Sequence, residues 1–216
     1  MPVKKPFSCR ALLITACLFV CCNRQANKPV DINTNNRIPV SVKDSLMLTI
    51  DKSPMDMIYY PEEYPKQKMM TPDMPEPVAR VIYSRPQKNG RLIFADTTTT
   101  QNVIQYFGQD WRLGANEATE IEFFKPVTIK GNKVAAGRYI MYCIPYHDKW
   151  KIILNKNLYS WGLHIDKAKD LLQVELPLMN NNVQIEYFTM QFQKADGGCN
   201  LVMAWGNYKV ILPIDF

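Results

Sequence analysis

From Val78 to the C-terminus, apolar and polar residues alternate in short runs separated by turn residues. That is the period-two signature of strands with one buried face. In "EIEFF", Ile121 and Phe123 fall on one side, with Glu120 and Glu122 on the other. "VTIKGNKV" predicts a hairpin, because "KGN" can supply the positive φ of a tight turn. "ARVIYSR", "GRYIMYCIP" and "KWKIILN" read as further strands, the last two joined across "YHD". "LLQVELP" sets Leu172, Val174 and Leu176 on one face. "VQIEYFTMQFQ" and "CNLVMAWG" flank the turn "KADGG", and "YKVILPI" closes the domain after a turn at "GN". Trp150 and Trp205 sit in alternating stretches and read as core. The prediction is an all-β sandwich or barrel over 78–216, with about nine mainly antiparallel strands and little helix. "DKAKDLL" has room for a turn or two of helix.

Upstream the pattern changes. "DSLMLTI" predicts a short strand, and residues 53–77 are crowded with Pro, Met and Tyr. Proline removes ladder donors, which argues against a central strand or a helix there. Residues 41–77 therefore read as a short strand followed by an extended surface strap. Residues 23–40 are polar and Asn-rich, the composition of a flexible tether. Before them, "MPVKKPFSCR" is a basic n-region and "ALLITACLFV" an apolar run suited to a signal h-region but too short to span a bilayer. The run ends in "CCN", the pattern of a bacterial lipoprotein signal over residues 1–22. Cys22 is the expected lipidated residue on h-region length, with Cys21 and Cys17 as alternatives. An ordinary cleaved signal is the competing reading. The residues after Cys22, "NRQANK", lack an acidic cluster, which favours the periplasmic face of the cell envelope.

Bulk composition narrows the classes. With 47% hydrophobic and 21% charged residues, the 216-residue chain is globular rather than disordered. Its net charge of +6 includes Lys4, Lys5 and Arg10 of the signal. A processed chain carries about +3, without basic clusters interleaved with aromatics, so nucleic acid is set aside as a partner. Only Cys143 and Cys199 of the six cysteines fall in the folded part. They can pair in an oxidising compartment or stay as two buried thiols. Two histidines, His147 and His164, and no Cys-x-x-Cys give little basis for a metal site, and no cofactor is expected.

Candidate chemistry concentrates in "DWRLGANEATEIEF", residues 110–123. Arg112 and Glu117 could form an internal ion pair, with Asn116 holding a positive-φ turn, so that the group braces a strand entry. Alternatively Arg112 and Asn116 hold an anionic or hydroxylated ligand, with Trp111 as stacking floor. Glu117 and Asp110 are the candidates for paired carboxylates in glycoside hydrolysis, with Arg112 orienting substrate. Trp161, in "YSWGLHID", is a further ligand-stacking candidate. Three functions stay open: a lipid-anchored periplasmic domain binding a ligand or partner, an envelope glycan hydrolase, and a structural subunit of an envelope assembly. The partners these imply are the membrane through the anchor and a glycan or envelope protein.

"IYSRP", "NGRLIF", "WRLGANEAT", "AAGRYIMYCIP", "KWKIILNK" and "WG" occur in this order. Together they resemble the family known as domain of unknown function 2911, over roughly residues 79–161. The resemblance implies a β-rich exported domain without an established activity. Its polar set falls on Arg85, Arg91, Arg112, Asn116, Glu117 and Lys156. Before the Trp, the family tends to read Pro-Tyr-Gly-Lys where this chain has "YFGQD". A cation expected there is therefore missing.

Overall fold

A computed structural model describes residues 53–216. The signal, the lipidation candidates Cys17, Cys21 and Cys22, the tether and the strand expected in "DSLMLTI" lie outside the described residues. The described chain runs β1 (Met55–Tyr60), α1 (Tyr64–Met70), β2 (Ala79–Ser84), β3 (Leu92–Ala95), β4 (Val103–Tyr106), β5 (Glu120–Phe123) and β6 (Val127–Ile129). It continues with β7 (Asn132–Val134), β8 (Gly137–Pro145), β9 (Lys149–Asn155), β10 (Asp170–Pro177), β11 (Met179–Ala195) and β12 (Gly198–Asp215), with one 3-10 turn at Lys167–Lys169. Among these residues no helix is long and apolar enough to cross a membrane.

The fold is an all-β sandwich. One sheet has six strands in the order β1-β2-β5-β8-β9-β10, all paired antiparallel and open at both edges. The facing sheet has four, β11-β12-β6-β7. The expected alternation places Val81 and Tyr83, Ile121 and Phe123, Met141 and Cys143, Ile152 and Leu154 in the core from the first sheet. Phe188, Met190, Phe192, Leu201, Met203 and Trp205 meet them from the second. The "KGN" hairpin forms with Lys130 and Gly131 both at positive φ, as its sequence predicts.

Three features depart from the sequence reading. The strap is not helix-free: Pro65 sits in the first turn of α1, where a missing N–H is tolerated, and proline-free β1 forms an edge strand. β3 and β4 pair in parallel as a separate two-stranded sheet. "GN" is no turn, because β12 runs on through Gly206 and Asn207. Its inward residues are Cys199, Leu201, Met203 and Trp205 before Gly206, then Val210, Leu212 and Ile214 after it. The parity changes there, so Gly206, at φ 57, accommodates a one-residue slip of the pleat. Of the two readings open for Cys143 and Cys199, the structure has the buried free thiols, in β8 and β12 of opposite sheets.

Burial sets the chemistry of these core groups. It raises the Cys143 thiol well above its ordinary value. Burial, helped by the Asp215 charge, pushes Cys199 from 9.0 up to about 12. Burial likewise raises Tyr83 from 10.0 up to about 12. Each stays protonated in the fold where the unfolded chain has released its proton. Their contribution is therefore complete below the ordinary values and is lost as pH climbs toward the raised ones. Denaturant midpoints are expected to fall steadily from about pH 9 to pH 12. Iodoacetamide with peptide mapping should leave Cys143 and Cys199 unmodified in the native protein and label both in denaturant.

Candidate functional site

The polar corner grows out of one rung of the large sheet. Trp111 and Cys143 exchange both backbone bonds, Trp111 N–H to Cys143 O at 2.7 Å and the reverse at 2.8 Å. Met141 N–H then donates to Thr119 O at 2.8 Å, and β5 continues beside β8 from Glu120. Residues 112–118 are thus an insertion between adjacent places on β8. Leu113 and Asn116 carry the bend at φ 53 and 58. Gly114 lies against Ser84, whose carbonyl oxygen would stand 2.8 Å from any Cβ added there. Thr119 closes the loop, its hydroxyl donating to Leu113 O at 2.6 Å.

Trp111 belongs to the core and is no open stacking floor. It is 4% exposed. Its ring is packed among Phe94, Trp150, Phe188 and Trp205 at centroid distances of 5.4, 5.4, 5.0 and 5.8 Å. Its Nε1–H donates to Gly114 O at 3.3 Å.

Arg112 and Glu117 do not pair. The Arg112 guanidinium donates to Trp161 O at 3.0 Å and lies 5.6 Å over the Trp161 ring. Burial lowers its pKa, and among the described residues no carboxylate offsets its charge. Glu117 is exposed. Asn116 donates to Ser53 O at 3.4 Å. Trp161 is 57% exposed, on a loop that docks against the corner through Ala118 N–H to Ser160 O at 3.2 Å. Gly162 makes that docking possible. At φ 78 it leaves room where a Cβ would meet Arg112 Cβ at 2.8 Å and Ala118 Cβ at 2.9 Å.

Between the two loops and β4 lies a cavity of about 300 Å³, lined in part by Arg91, Gln105, Asp110, Arg112 and Leu163. Arg91 donates to Gln87 O at 2.6 Å and Lys88 O at 3.1 Å, so it too bonds carbonyls rather than a carboxylate. Asp110 is met by Lys167 Nζ at 3.0 Å, a cation brought by a distant turn. Glu117 does not line this cavity, so Asp110 and Glu117 do not share a cleft. Arg85 works elsewhere, tying β2 to Phe188 O, Thr189 and Asp56. Lys156 is exposed. His147 contacts Asp96 at 3.0 Å and stacks on Phe107. Among the described residues no three metal-binding side chains gather. Arg91 and Gln105 were not singled out by reading the strands; the family resemblance pointed to Arg91, and nothing pointed to Gln105.

Fold and site define an all-β sandwich with a cation-rich cavity beside an inserted loop. The chain belongs to the family described as Protein of unknown function (DUF2911), whose model matches residues 65–214. No curated protein and no solved structure matches it.

Because Arg112 makes one bond and one ring contact, Arg112→Met should cost only about 1–2 kcal/mol in thermal or denaturant unfolding. Glu117→Gln should stay within about 0.5 kcal/mol. Gly162→Ala, which drives a methyl group into packed atoms, should cost about 1–3 kcal/mol or more.

Proposed function

We propose that the chain is a lipid-anchored periplasmic domain that binds a small anion at the cavity beside Arg91 and Arg112. One observation carries this reading. Two guanidiniums line a single cavity, and carbonyl oxygens alone accept their bonds. A carbonyl dipole satisfies a donor but leaves the charge uncompensated. The Asp110 carboxylate in the same cavity is already engaged by Lys167. The place for a negative charge is therefore open, and the planar forks of arginine suit carboxylate or phosphate oxygens. The anchor is supported by the apolar run ending in "CCN" and the basic residues before it.

Calorimetric titration of the mature chain with inorganic phosphate and with citrate tests the binding. At least one should bind. Arg112→Gln and Arg91→Gln should each weaken it about tenfold or more, and added salt should weaken it further. Affinities that ignore both substitutions, or no binding of either anion, would sink the reading. Palmitate labelling that disappears in Cys22→Ser checks the anchor separately.

A further inference from the structure

β11 is longer than its partner requires. It pairs with β12 over 189–195 and again at Met179 and Asn180, but between them only Ile185 keeps a partner, Gly206. From Asn180 to Ile185 β11 advances by five residues while β12 moves from Tyr208 to Gly206. The surplus bonds elsewhere. Lys88 N–H donates to Glu186 O at 2.8 Å, Phe188 N–H to Pro86 O at 3.0 Å, and Gln87 bridges Tyr187. β11 is thus drawn off β12 toward the segment between β2 and β3. Close by, at the slip in β12, β3 and the turn between β8 and β9 meet β12 around a cavity of about 570 Å³. Gly206 packs so closely there that an added Cβ would lie 2.6 Å from Ile93 Cδ1.

The lining differs in kind from the arginine cavity. Leu92, 52% exposed, and Met179, 41% exposed, are large apolar groups on its wall, beside the half-buried Tyr208 ring. Around them stand the amides of Asn180, Gln184 and Asn207. None of these three side chains makes a hydrogen bond among the described residues. Each amide offers donors and an acceptor in one plane. Lys88 and Asp148 contribute one charge of each sign to the lining. A cavity without net charge, with an apolar wall and unspent amides, matches a ring that has C–H groups on one face and hydroxyls at its edge.

We propose that this cavity binds a neutral saccharide, its ring against Tyr208, Leu92 and Met179 and its hydroxyls bonded by Asn180, Gln184 and Asn207. The site is separate from the arginine cavity and does not depend on what binds there.

The test is calorimetric titration of the mature chain with maltotriose, cellotriose and chitotriose. At least one should bind, with Kd about 1 mM or tighter. Asn207→Ala should weaken that sugar about tenfold, and Asn180→Trp, which fills the mouth of the cavity, should abolish binding. Both positions are exposed, so melting curves should match the parent. Arg112→Gln should leave saccharide binding unchanged while weakening anions, which separates the two sites. No binding by any of the three sugars overturns the proposal. So does binding that survives both cavity substitutions, or binding lost in Arg112→Gln alone.

Discussion

The paired backbone bonds between Trp111 and Cys143 are the constraint on which the polar corner rests. They pin one end of residues 112–118 to β8 in the middle of the large sheet, while the Thr119 carbonyl pins the other a step away. The chain must leave and return within that space, and this forces Leu113 and Asn116 into the left-handed region. Such a conformation costs about 1–2 kcal/mol for a residue with a Cβ. Complete burial of Leu113 offsets about 1.5–3 kcal/mol, so the bend roughly breaks even by itself. What holds it is the Trp111 ring among four aromatic neighbours, each contact contributing about 0.5–1.5 kcal/mol beyond area.

Both cavities occur where a strand carries residues its neighbour does not match. A regular ladder consumes its backbone groups and presents side chains in fixed alternation, which leaves little room for a pocket. The insertion at 112–118 and the surplus in β11 break that economy in different ways. The first brings arginines together with carbonyl oxygens as their acceptors. The second exposes apolar side chains beside unbonded amides. A single sandwich thereby offers surfaces of opposite chemical character.

Much of the sandwich was legible along the chain because alternation reports directly on which face is buried. Ile121 and Phe123, or Val174 and Leu176, could hardly face otherwise. Alternation fails where pairing is set by distant segments. β3 and β4 are four residues each and flank a threonine run, so nothing local announces their parallel pairing. Gly206-Asn207 has the composition of a turn, and only pairing with β11, Ile185 at Gly206 and Asn180 at Tyr208, keeps β12 extended through it. At the corner, the type of residue was informative and its partner was not. Arg112 and Glu117 are a natural pair on paper, yet Gly162 lets the Trp161 loop approach and take the guanidinium instead. That choice depends on a contact between segments almost fifty positions apart.

The twelfth strand of the sandwich is also an interior one. β12 lies between β11 and β6, and it carries Leu201, Met203, Trp205, Val210, Leu212 and Ile214 into the core. Until it emerges, the β6–β7 hairpin has no neighbour in its sheet and the aromatic cluster lacks Trp205. A nascent chain can therefore form local hairpins but cannot close the sandwich before β12 has been made. Closure of this domain waits on its twelfth strand.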